Sequence, residues 1–98
     1  MDNSSLLQAI RERRLLRFSY HDHVREVQPH TYGTTRTGQK ALRAYQVGGT
    51  SGSGHIPDWR IFRIADIRSA TLLTETFARA APGYRKNDPA FATIDAQL

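Results

Sequence analysis

Arginine and aromatic side chains alternate in two short stretches. Arg43 and Tyr45 lie in Leu42-Arg43-Ala44-Tyr45-Gln46, and Arg60, Phe62 and Arg63 lie in Trp59-Arg60-Ile61-Phe62-Arg63. Guanidinium groups meet phosphates through parallel N–H donors, and neighbouring rings offer faces on which bases stack. On a strand this interleaving suits single-stranded nucleic acid or a nucleotide. The same pattern arises when Tyr45 and Phe62 fill a core and the arginines form a solvated rim, and spacing alone leaves the two readings level.

Other chemistry has weaker support. His21-x-His23 puts two imidazoles in a turn, but there is no cysteine and no third ligand at a usable spacing, so no metal is expected. Gly52-Ser53-Gly54 precedes Pro57 and a strand, whereas phosphate loops deliver their ligand to a helix N-terminus. No Ser, His and Asp fall into a nucleophile elbow. The expectation is a binding protein and not an enzyme, with no cofactor.

The elements that must carry these residues read as mainly β. Ser5-Leu6-Leu7-Gln8 matches a capping box and predicts a helix from Leu6 to Arg14 with Leu6, Leu7 and Ile10 on its core stripe. Leu16, Phe18 and Tyr20 alternate with polar residues as in a half-buried strand, and His21-Asp22-His23 is the turn into a second strand that Pro29 should end. Strands follow at 41–47, 59–64 and 69–74, and the Gly/Ser-rich 48–54 is a loop. Five short strands and one leading helix predict a small closed barrel over residues 1–75, followed by an irregular tail, 76–98, that wraps the barrel or meets a partner through Phe91, Ile94 and Leu98.

Composition agrees with a single binding domain. The 98 residues hold 14 basic side chains, 12 of them Arg, against 9 acidic ones. The first fifty residues carry 8 basic and 4 acidic groups, and the remainder 6 and 5, which predicts a basic face. Zero cysteines remove disulfides and thiolate zinc sites and fit a cytoplasmic protein. No apolar run approaches a membrane span and no secretory signal is present.

The succession Leu16-x-Phe18-x-Tyr20, Arg25-x-Val27-x-Pro29, Pro29-His30-x-Tyr32-Gly33, Leu42-Arg43-Ala44-Tyr45 and Arg60-x-Phe62-Arg63 resembles a WYL domain over roughly residues 5–75, and in particular a small stand-alone bacterial member. The resemblance implies an Sm/SH3-like five-stranded barrel that senses nucleic acid strands or nucleotide-like effectors in transcription regulation. Lys40-Ala41-Leu42 stands where the family's Trp-Tyr-Leu would be, and Asp66 where an Arg is usual. No helix-turn-helix precedes Leu15. The resulting ligand-binding set is Arg43, Tyr45, Arg60, Phe62 and Arg63 with Tyr20, Arg25, His30 and Tyr32. The alternative is a protein-interaction module forming a homodimer or engaging a regulatory protein.

Overall fold

The computed structural model describes residues 3–50 and 55–98. Helix α1 (Asn3–Glu12) leads six strands, β1 (Arg14–Tyr20), β2 (His23–Thr35), β3 (Lys40–Gly49), β4 (Asp58–Arg63), β5 (Arg68–Thr76) and β6 (Phe91–Gln97), with a 3-10 turn at Ile64–Asp66. The chain is thus mainly β with one short helix. The helix is already formed at Asn3, so Ser5 lies within it and does not cap it. It ends where Arg13 takes a positive φ of 52° and starts β1.

All pairings are antiparallel, in the order β4-β3-β2-β1-β5, and β6 adds to β2. The expected five-stranded closed barrel is replaced by an open, six-stranded sheet. The edges are β4 and β5, joined in sequence by the 3-10 turn and not by a ladder. Side chains close the core there, because Ile67 is buried and Ile64 packs against the same cluster. The core under the sheet's inner face holds Leu6, Ile10, Leu16, Phe18, Val27, Leu42, Ala44 and Phe62.

Strand β2 organises the sheet. His21 and Asp22, with φ of 50° and 67°, form the two-residue hairpin that pairs Tyr20 with His23. Two positive φ values give the turn the twist that antiparallel strands need. Pro29, expected to end this strand, lies inside it. The ladder to β3 shifts register between Pro29 and Thr31, and proline, which has no N–H to donate, is tolerated at such a bulge. Beyond the bulge, β2 exchanges partners along one edge, pairing its first half with β1 and residues Thr31–Thr35 with β6.

The tail, expected to be irregular, therefore ends in a regular strand. Before that strand, residues 77–90 cross the outer face of the sheet and bury Phe77 and Ala81 there. The Gly/Ser-rich loop expected at 48–54 lies, from residue 51 to 54, outside the described residues, as does Gly52-Ser53-Gly54.

Candidate functional site

The β3–β4 ladder has no bulge, so directly paired residues share a face. Ala44 pairs with Arg60 and Leu42 with Phe62, which puts Arg60 and Phe62 on the inner face. Arg43 pairs with Ile61, Tyr45 with Trp59 and Ala41 with Arg63, which puts Arg43, Tyr45 and Arg63 on the outer face. The arginines singled out in the sequence thus divide between two faces.

At one end of the inner face the structure gathers Tyr20, Arg25, Gln46, Arg60 and Phe62. Arg25 is only 7% exposed. Its guanidinium lies 5.5 Å from the Tyr20 ring centroid and 5.7 Å from that of Phe62. Nη1 donates to Gln46 Oε1 and Nη2 to the Tyr20 carbonyl, both at 3.3 Å, while Nε is buried and makes no hydrogen bond. The amide of Gln46 is oriented by its own nitrogen, which donates to the carbonyls of Gly48 and Thr50 at 3.1 and 3.0 Å, so its oxygen must face Arg25.

Among the described residues no carboxylate pairs with Arg25. Burial lowers its pKa from the ordinary arginine value, and the nearby positive charge of Arg60 lowers it further. Arg60 itself donates from Nη2 to the His55 carbonyl at 2.9 Å. Two guanidiniums, an amide and two rings thus share one sheet end. A buried charge is stable when it is paired, so this end is chemically suited to receive an anion.

The outer face carries a second constellation, built by the tail. Arg43 Nε donates to Asp88 Oδ2 at 2.8 Å, and Asp88 Oδ1 accepts the Ala90 amide at 2.9 Å. Burial pushes the Asp88 carboxyl upward, but the Ala90 amide and Arg43 outweigh it and hold the group below the ordinary carboxylate value. His30 is fully buried beneath the tail, with Trp59, Phe77 and Tyr84 around it. Its Nδ1–H donates to the Gln28 carbonyl at 2.7 Å and its Nε2 accepts the Ala81 amide at 3.0 Å. These two bonds assign the neutral tautomer and leave neither nitrogen for a ligand.

Of the remaining sequence candidates, Tyr32 is a core residue with Lys40 Nζ 5.4 Å from its ring centroid. Tyr20 Oη accepts the Arg63 amide at 3.1 Å, and the Arg63 side chain is exposed on the outer side. Tyr45 sits against Trp59 with centroids 5.1 Å apart. Asp66 faces His21 at 3.3 Å. Sequence reasoning missed Gln46, Tyr84, Arg85 and Asp88. Gln46 shares the face of Leu42 and Ala44 in an alternating strand, and a polar residue there was the available signal. The tail residues carried none.

Among the described residues no helix is long and apolar enough to cross a membrane. No family model matches the sequence, and no curated protein matches it. Among solved structures, the chain is similar to the proteasome accessory factor B/C (PafBC) of Arthrobacter aurescens, with a TM-score of 0.64 and 24% identity over 86% of this chain. The match spans 13% of that much longer chain. At this identity the likeness is one of fold, shared with a segment of a larger protein.

Proposed function

We propose that the chain is a non-catalytic sensor module of WYL-like fold whose ligand is a phosphate-bearing strand or nucleotide held at the Arg25–Arg60 end of the inner face. The observation that carries this reading is Arg25: a buried guanidinium with a vacant Nε donor, no carboxylate partner among the described residues, and a second arginine nearby. A phosphate would supply the missing acceptors and relieve the repulsion between the two cations. Tyr20 and Phe62 would hold the Arg25 plane by cation–π contact while it does so. The fold shared with a segment of PafBC supports the WYL-like reading and a place in regulation.

The alternative, a dimerisation module, drew on the apolar tail. Phe91 is buried within the chain, Ile94 pairs with Gly33, and Leu98 donates its amide to the His30 carbonyl at 3.1 Å. The tail is engaged by its own sheet, which favours the ligand-binding reading.

Titrating a labelled single-stranded oligonucleotide and free nucleotides at several salt concentrations tests the proposal. Binding should weaken with salt, with a slope of about −0.7 in log K per phosphate neutralised. Arg60→Ala should cost about tenfold in affinity and reduce that slope by about one phosphate. Arg17→Ala, which removes an exposed ion pair with Glu26 on the same sheet, should change little. No binding at low salt, or equal losses in the two variants, overturns the assignment.

A further inference from the structure

We infer that the pocket between the tail and the outer face of β3 and β4 is a second binding site, for a small planar aromatic anion of the nucleoside monophosphate kind. It is independent of the Arg25–Arg60 end, from which the sheet itself separates it. The pocket has a volume of about 330 Å³ and is lined by Arg43, Trp59, Tyr84, Arg85 and Asp88, with Gly83, Pro89 and Ala90. That size is at the lower end of the range for small-molecule sites.

Two of its side chains are cations and one is an anion, and the anion is already engaged. Asp88 spends its oxygens on Arg43 Nε and the Ala90 amide. Arg43 keeps Nη1 and Nη2 without hydrogen-bond partners among the described residues, and Arg85 makes neither an ion pair nor a hydrogen bond there. The pocket therefore presents unspent guanidinium donors and a surplus positive charge, which fits a phosphate or carboxylate.

Its rings are held in place beforehand. Trp59 Nε1 donates to the Pro82 carbonyl and Tyr84 Oη to the Leu98 carbonyl, each at 2.8 Å. Gly83, at a φ of +87°, lets the tail pass the indole closely, since a Cβ there would come within 3.1 Å of Trp59 Nε1. Aromatic walls fixed by hydrogen bonds to the backbone accept a planar ring without a large ordering cost. A ring for stacking and an anionic group for the arginines together define the ligand class.

The chain contains a single tryptophan, so intrinsic fluorescence reports on this pocket directly. AMP, adenosine and inorganic phosphate are the probes. AMP should change Trp59 emission saturably, and adenosine should bind about tenfold more weakly, the worth of one charge-assisted contact. Phosphate alone should compete with AMP without reproducing the emission change. Arg85→Ala, at an exposed position with no hydrogen bond or ion pair among the described residues and only a through-space effect on Asp88, should lose about tenfold in AMP affinity with an unchanged circular dichroism spectrum. Arg60→Ala should leave the response intact. The assignment is overturned if emission does not saturate up to about 1 mM AMP, if adenosine binds as tightly as AMP, or if Arg85→Ala has no effect. Loss of the response in Arg60→Ala also overturns it, because the ligand would then sit at the inner face.

Discussion

Burial holds the His30 imidazole below its ordinary pKa of 6.5, against the opposing pull of its bond to the Gln28 carbonyl. In the folded chain His30 stays neutral where the unfolded chain has begun to take up a proton. Below pH about 6.5 the unfolded state therefore binds more protons, and stability falls with pH until the lowered folded pKa is reached. Melting temperature should be level above neutrality and decline as pH falls below about 6.5. Asp88 acts in a separate window. Its lowered pKa contributes stability above the ordinary value of 3.8 that is lost only as pH falls through the folded value. His30→Gln, which keeps a donor and an acceptor, should flatten the decline that begins below about pH 6.5 and leave unchanged the acid limb set by Asp88. An unaltered slope in that variant would show that the tail does not depend on a neutral ring at position 30. His30 was legible in the sequence as a residue of interest and not as a buried one, because the groups that consume its nitrogens lie at Gln28 and, far along the chain, at Ala81.

Strand pairing depends on a close approach at Gly33. A Cβ built there would lie 2.1 Å from the Thr93 carbonyl oxygen on β6, with no positive φ involved, so the constraint is purely steric. Gly33→Ala should destabilise by about 2 kcal/mol and act on the β2–β6 contact first. Trypsin should then cut at Arg85 and Lys86 faster than in the parent chain, while cleavage at Arg17 in the β1–β2 hairpin stays slow. The strands that alternate cleanly, β1, β3 and β4, were readable from their period of two. Two elements were not. The second half of β2 was hidden by Pro29, whose bulge makes proline acceptable within a strand. In β6 and the residue that follows it, the apolar Phe91, Ile94 and Leu98 are spaced by three and four, and register shifts between Tyr32 and Gly33 and between Thr34 and Thr35 account for the lost alternation within the strand.

For the whole molecule, the sheet is a partition with different chemistry on each side. Arg25, with its unpartnered Nε, and the neighbouring Arg60 lie at one end of the inner face, and an aromatic, arginine-bearing pocket lies on the outer face. Alternation in β3 and β4 was enough to find the arginines, and the strict pairing of those strands is what divides them. That no carboxylate among the described residues pairs with Arg25 was not legible, since it depends on which side chains the bent sheet brings together. The closed barrel was expected from strand number and turn spacing. It failed because β4 and β5 meet through Ile64 and Ile67 side chains and not through backbone bonds.

The docking of β6 on β2 also has a consequence in time. The β1–β2 and β2–β3 ladders join segments close in sequence, whereas Gly33 meets Ile94 across most of the chain. Contacts of long sequence separation cost the most loop entropy, and such elements form late and open early. Native-state hydrogen exchange should therefore show the amides of Ile94 and Ala81 exchanging through a partial opening that leaves Val27 and Leu42 protected. The outer pocket exists only while the tail is docked, so AMP bound there should slow exchange at Ile94 and Ala81 and leave Val27 and Leu42 unaffected. Exchange at one common rate throughout the sheet would mean instead that the tail and the β1–β3 meander unfold as a single unit.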